Sequence, residues 1–294
     1  AAGVRAPIAL RVNPDIDSPT PHRYTNTGHG ETKFGIPYDD ALRLYRLAAE
    51  LPGVRVRGID VHIGSQIVEV APYRRALSSI LELVAMLREE GIGLEFLDLG
   101  GGFGVDYDHE EDLSLRSSEF ARALAPDVAA SGLRLVLEPG RYIVAPAGIL
   151  LTRVLYVKRM GRKTFLVTDA GMNDLLRPSH YSSYHRVRPV RQQSDREPVQ
   201  VDVVGPICES GDFLALDRTV PEMRPGELLA IHTVGAYGFS MASTYNARPR
   251  PAELLVDGSE FRLIRPRDLR RSRQRREGPA RMMRRPPATR STSS

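Results

Sequence analysis

The chain has 294 residues, with 41 Lys and Arg against 36 Asp and Glu, a formal charge of +5 and 41% hydrophobic side chains. That is apolar material for one large or two ordinary domains, and it excludes a fibrous or wholly disordered chain. The cations are unevenly placed: residues 265–294 hold eleven arginines against Asp268 and Glu277, a local +9, so the other 264 residues carry −4 of the total +5.

The first half alternates short apolar runs with helical periodicity. Strands are expected at Ile8 to Val12, Val56 to Ile63, Leu94 to Leu99 and Leu133 to Leu137. Helices are expected between them: Tyr38 to Leu51, Pro72 to Glu90 with Leu77, Ile80, Leu81, Val84 and Leu87 on one stripe, and Ser117 to Ala130. Strand, helix, strand at this spacing means βα units with parallel strands. Each strand ends in a polar or glycine-rich turn, at Asn13-Pro14-Asp15, His62-Ile63-Gly64-Ser65, Gly100-Gly101-Gly102 and Glu138-Pro139-Gly140-Arg141. Ligands collect at that edge of such sheets.

After Ile149 the pattern turns β-rich, with stretches at Leu150 to Val157, Thr164 to Asp169, Val199 to Val204, Glu227 to Val234 and Ala252 to Leu263. Their spacing suits an antiparallel sheet or small barrel. The expected domains are 1–149, 150–264 and a basic, disordered tail at 265–294 whose few apolar residues have little to bury. The tail alone carries a nucleic-acid reading, and it lacks aromatics on which bases could stack, so nucleic acid is not an expected partner.

One cysteine, Cys208, permits no internal disulfide. No run of about 18 apolar residues spans a membrane, and the first residues lack the pattern of a signal peptide. A cytoplasmic protein with no membrane partner is the expectation. The seven histidines show no metal-ligand spacing, so no metal is expected.

The chemistry-bearing segments each admit a plain structural reading. The run Gly100-Gly101-Gly102-Phe103-Gly104 could let backbone N–H groups approach an anion, or could be a turn; its spacing is not the dinucleotide fingerprint. Glu138 and Arg141 could serve a site or form a surface ion pair. His62 could be a ligand contact or a core histidine. Tyr237, between Gly235 and Gly238, could contact a ligand or pack. Cys208, in a Gly/Pro turn beside Glu209 and Asp212, could be buried or exposed; acidic neighbours would keep its thiol protonated and able to donate a proton.

Taken in order, R-V-N-P-D at 11–15, T-K-F-G-I at 32–36, H-I-G-S-Q at 62–66, L-D-L-G-G-G-F-G at 97–104, L-E-P-G-R at 137–141, D-A-G-M-N-D-L-L-R-P at 169–178, G-P-I-C-E-S-G-D at 205–212 and G-A-Y-G-F-S-M-A-S-T-Y-N at 235–246 resemble the diaminopimelate decarboxylase family. This is a group of fold-type III, alanine-racemase-like enzymes that use pyridoxal 5'-phosphate. The resemblance implies an α/β plus β architecture: a (β/α)8 barrel followed by a mostly antiparallel β domain, in a homodimer with shared active sites. It implies decarboxylation of meso-2,6-diaminopimelate, a small amino-acid substrate, to L-lysine and CO2. His62 would then stack on the cofactor ring, Ser65, Gly102, Gly140 and Arg141 would hold its phosphate, Glu138 would pair with the ring nitrogen, and Tyr237 would also touch the cofactor. Arg141, Arg177 and Tyr181 would grip substrate carboxylate, with Glu209 and Tyr237 completing the contacts. Cys208, as proton donor, and Glu209 would reach in from the partner subunit.

Two departures stand out. The only lysines are Lys33, Lys158 and Lys163, and none lies in the segment where the family carries its Schiff-base lysine. Only the last four βα units of the barrel are represented, so the sequence reads as N-terminally truncated. The arginine-rich tail also departs from the family, as a frameshift product or as a basic arm. The alternatives are a relative acting on arginine, ornithine or carboxynorspermidine, against which Glu209 and the R-P-x-x-Y spacing weigh, and a non-catalytic dimerising homologue.

Overall fold

Parallel neighbours require crossover connections, and the helical stretches of the first half supply them. A computed structural model describes residues 3–16, 33–108, 113–192 and 195–268. Strands β1 (Ala6–Asn13), β2 (Ile36–Pro37), β3 (Val54–Asp60), β4 (Phe96–Asp98) and β5 (Arg134–Val136) form one parallel sheet in the order β2-β1-β3-β4-β5. The crossovers are α1 (Tyr38–Glu50), α2 (Ala71–Glu89) and α3 (Leu113–Ser131), and the short α4 (Gly140–Val144) follows β5.

The stripe on α2 explains its docking. Leu77, Ile80, Val84 and Leu87 are each no more than 1% exposed, and they share one cluster with Ile59, Val61, Leu97 and Leu99 from the strands. Pro72 sits in the first turn of α2, where the missing N–H leaves no hydrogen bond unmade. Tyr45 of α1 is fully buried, and its hydroxyl donates to the carbonyl of Gly58 at 2.9 Å, tying α1 to β3.

The second half forms a separate six-stranded sheet from β6 (Leu150–Met160), β7 (Lys163–Thr168), β8 (Val187–Pro189), β9 (Pro198–Val204), β10 (Phe213–Pro221) and β11 (Leu228–Ile231), in the order β10-β9-β7-β6-β11-β8. Helix α5 (Arg177–Tyr181) lies between β7 and β8. A second apolar cluster, including Val154, Leu166, Val203, Leu214 and Leu229, fills this sheet's core. The result is the expected partial (β/α)8 barrel followed by a mostly antiparallel sheet. Within this mostly antiparallel sheet one pair, β7 and β9, runs in parallel. The segment between them, which contains α5 and β8, is long enough to return the chain in the same direction.

The described chain falls into two compact units, Ala1–Ala242 and Ser243–Ser294. In the second, β12 (Glu253–Asp257) and β13 (Glu260–Arg265) form a hairpin within the β-rich stretch expected at Ala252 to Leu263. Gly258, at φ +59°, makes the turn that residue alternation could not reveal. The tail from residue 269 onward lies outside the described residues. No helix among the described residues is long and apolar enough to cross a membrane.

Candidate functional site

The carboxyl ends of β3, β4 and β5 bring three loops together. Glycine packing sets their approach. A Cβ at Gly100 would lie 2.4 Å from the Val61 carbonyl, and one at Gly102, where φ is +91°, 2.2 Å from the Gly64 carbonyl. These glycines therefore do packing work between adjacent loops. The side-chain amide of Gln66 completes the clamp: its nitrogen donates to the Val105 carbonyl at 2.5 Å and its oxygen accepts from the Val105 N–H at 3.2 Å. His62 is held here too. Its Nδ1 accepts the Gly101 N–H at 3.1 Å, and burial, followed by the positive charge of Arg11, lowers its pKa. The ring is neutral near pH 7, with its proton on Nε2.

The turn carrying Tyr237 comes from the other sheet. Val234 donates its N–H to Gly148 at 2.9 Å and Gly235 to Ala145 at 3.1 Å, so the residues after β11 lie against the end of α4. A Cβ at Gly235 would collide with the Val144 carbonyl, which explains glycine there. Tyr237 adopts φ +59°, a left-handed conformation uncommon outside glycine, and is 46% exposed.

A cleft of about 1230 Å³ opens between these pieces. Ser65, Arg141, Arg177, Tyr181 and Tyr237 line it together. His62, Gly102, Glu138, Gly140, Cys208 and Glu209 do not; the first four stand on the adjoining strand-end loops, with Glu138 and Gly140 exposed. Cys208 and Glu209 are exposed on the turn before β10. Asp212, expected to act on the Cys208 thiol, is instead buried and accepts the N–H groups of Met172 at 2.6 Å and Ile207 at 2.5 Å. It fastens the turn.

Within the cleft, Arg141 donates to the Tyr107 hydroxyl at 2.5 Å and to Ser65 Oγ at 3.0 Å, and its guanidinium lies 4.7 Å from the Tyr237 ring centre. Its Nε is buried with no hydrogen-bond partner among the described residues. Arg177 is 5% exposed, packs 4.6 Å over the Tyr107 ring, and pairs through Nη1 with His185 Nε2 at 2.8 Å. Burial lowers the pKa of Arg177, and the charge of Arg141 adds to that effect. Two guanidiniums converging on one cleft make a site for an anion.

Tyr107 and His185 were missed in the sequence. Tyr107 follows the glycine loop in G-V-D-Y and His185 follows α5 in Y-S-S-Y-H, but no spacing announces either residue; only the fold sets them beside the arginines. None of the three lysines lines the cleft. Lys33 lies 5.2 Å from the Phe34 ring centre, Lys163 pairs with Asp202 at 2.7 Å, and Lys158 is on β6. Among the described residues no group of His, Cys, Asp or Glu could hold a metal ion.

The residues present fit the non-covalent side of an anionic cofactor: an unpartnered buried guanidinium nitrogen, a serine hydroxyl, strand-end loops and a neutral imidazole. The covalent lysine is not among the cleft's lining residues.

Residues 2–145 match the family model for the pyridoxal binding domain of pyridoxal-dependent decarboxylases. Diaminopimelate decarboxylase from Neisseria meningitidis serogroup A is 50% identical over 266 residues, covering 90% of this chain and 64% of that protein. The one from Aquifex aeolicus is 46% identical over the same length, 63% of it covered. The chain thus spans slightly under two thirds of these relatives. The crystal structure of diaminopimelate decarboxylase from Helicobacter pylori complexed with L-lysine superposes with a TM-score of 0.84 at 41% identity, over 91% of this chain and 66% of that one. With sequence and fold agreeing over nine tenths of its length, the chain belongs to the pyridoxal-dependent decarboxylases, among the diaminopimelate decarboxylases.

Proposed function

We propose that this chain carries the substrate-carboxylate and cofactor-phosphate half of a decarboxylase acting on meso-2,6-diaminopimelate to give L-lysine and CO2. The observation that carries the reading is the arginine pair: Arg141 with a buried, unpartnered Nε, and Arg177 held beside it in one cleft. A guanidinium fork binds a planar carboxylate through two parallel hydrogen bonds, which a lysine point charge does not reproduce. The similarity to relatives named for this activity, and to one crystallised with L-lysine, supports the same substrate class.

Pyridoxal 5'-phosphate, when bound, supplies the sink for the electron pair left as CO2 departs. His62 would stand against its ring, while Ser65, Gly102 and the Gly140-Arg141 backbone would hold its phosphate. Glu138 keeps a proton at the ring nitrogen. Arg141, Arg177 and Tyr181 orient the substrate carboxylate, and Tyr237 contacts both ligands. Cys208 donates the proton that replaces CO2 at Cα, and Glu209 receives the distal ammonium. Both are exposed and do not line the cleft of their own chain, which suits a homodimer in which each chain completes the other's site. A domain boundary near residue 150 is supported by the two separate apolar clusters. The exposed, unpaired thiol of Cys208 suits a reducing, cytoplasmic setting.

The test combines retention of pyridoxal phosphate through gel filtration with CO2 release from meso-2,6-diaminopimelate, L-ornithine and L-arginine by the protein carrying these residues. Retention, and turnover of diaminopimelate in preference to the others, is expected. Preference for ornithine or arginine overturns the substrate, and loss of cofactor overturns the site. Sedimentation as a single chain under assay conditions overturns the dimer.

A further inference from the structure

Behind Arg177 lies a group to which no part of the proposed reaction assigns a role. His185 is fully buried, 0% exposed, and both ring nitrogens are engaged. Nε2 is 2.8 Å from Arg177 Nη1, and Nδ1 is 2.9 Å from the backbone oxygen of His232. A guanidinium has only donors and a carbonyl oxygen only accepts. Nε2 must therefore be the bare acceptor and Nδ1 must carry the proton. Two independent partners demand the same neutral tautomer. The Tyr107 ring closes the pocket edge-on, 5.0 Å from the His185 ring.

A neutral partner here has a specific consequence. Buried arginines are usually met by carboxylates, which hold the guanidinium but cancel its charge toward any other anion. An imidazole nitrogen holds the same guanidinium while leaving its full charge facing the cleft. The problem is acute because Arg141 stands nearby and repels Arg177. Without the His185 nitrogen, only the Tyr107 hydroxyl would hold Arg177 against that repulsion.

We propose that His185 is the positioning residue for Arg177: a neutral acceptor, fixed in its Nδ1–H tautomer by the His232 carbonyl, that aims Arg177 at a ligand carboxylate without neutralising it. This rests on the reading that Arg177 binds the substrate carboxylate. The groups facing His185 are the charges of Arg177, Arg141 and Arg218, the Tyr107 ring and the His232 carbonyl.

The experiment compares two nearly isosteric variants of the full chain. His185→Gln can accept from Arg177 and donate to the His232 carbonyl; His185→Glu accepts but brings a negative charge and no donor. Binding of meso-2,6-diaminopimelate is measured by calorimetry with pyridoxal phosphate present, beside 1,5-diaminopentane, which has no carboxylate. His185→Gln is expected to stay within about threefold of the unsubstituted chain, whereas His185→Glu weakens diaminopimelate roughly tenfold or more and leaves the diamine unchanged. Equal affinity of the two variants for diaminopimelate, or equal loss for both ligands, overturns the proposal. Nitrogen-15 NMR of the histidine rings gives a second reading where a variant fails to fold: a His185 ring with its proton on Nε2, or doubly protonated at pH 7, also overturns it. Arg177→Gln separates the two levels. If it leaves diaminopimelate binding intact, the carboxylate reading itself fails; if it abolishes binding while His185→Glu does not, only the role of His185 fails.

Discussion

At the scale of single residues, the half-buried Asp60 and the buried His185 pull the acid stability of the fold in opposite directions. Asp60 ends β3 between its register partners Arg11 on β1 and Asp98 on β4. Burial, then the charge of Asp98, raises its pKa to about 6, against an easing effect of Arg11. The unfolded chain loses this proton first, so stability falls as the pH rises from about 4 to 6, and the penalty is fully present above 6. Asp60→Asn should therefore raise the unfolding free energy at pH 7, read from urea titration, by about 1–2 kcal/mol after allowance for solvent screening, and should change little at pH 4. His185 acts oppositely. Burial, with the charges of Arg177, Arg141 and Arg218, lowers its pKa to about 4. Between pH 6.5 and 4 the unfolded chain takes up a proton that the folded chain refuses, so stability falls with falling pH across that window, by about 3 kcal/mol at most. Urea titrations of the unsubstituted chain and His185→Gln from pH 7 to 4 should show a flatter acid limb in the variant. Of the residues expected at the site, Arg141 and Arg177, which line the cleft, were legible from their sequence context. Asp60, Tyr107 and His185 were not, because their roles depend on which strand ends and turns come to lie side by side.

Among the elements, helices were legible where apolar periodicity matched a buried face. The stripe on α2 became core with its ends displaced by one residue, since side-chain period and propensity act locally. Two strands of the second sheet were less legible. Residues 187–189 and 213–221, which form β8 and β10, carry polar or proline residues that mask alternation; β8 pairs with the distant β11, and β10 with the preceding β9. Helix α3 contains a conflict of its own. Pro126 lies inside it and is exposed, removing a helical N–H without any buried contact in return. Pro126→Ala should stabilise the fold by about 1–3 kcal/mol, read as an increased urea midpoint with unchanged denaturant slope. A destabilised variant would show that the proline fixes a bend on which packing of α3 depends.

For the whole molecule, charge is partitioned between body and tail. Residues 269–294 carry nine arginines and Glu277, so cleavage after Asp268 should take the net charge from +5 to −3. The shortened chain should pass through a cation-exchange column at pH 7 that retains the full chain. Retention of both would locate a basic surface on the body, contrary to its composition. The sequence by itself determined the element types, the parallel first sheet, the family and the set of strand-end motifs, because these follow from local periodicity and from ordered residue identities. Only the tertiary structure decided the parallel β7 and β9 pair, the hairpin at Gly258, the cleft between the two sheets, and the neutral histidine behind Arg177. The β7 and β9 pair, the cleft and the histidine depend on contacts between segments far apart in the chain, where geometry and desolvation, not residue spacing, select the partner; the hairpin is local, and the left-handed backbone of Gly258 sets its turn.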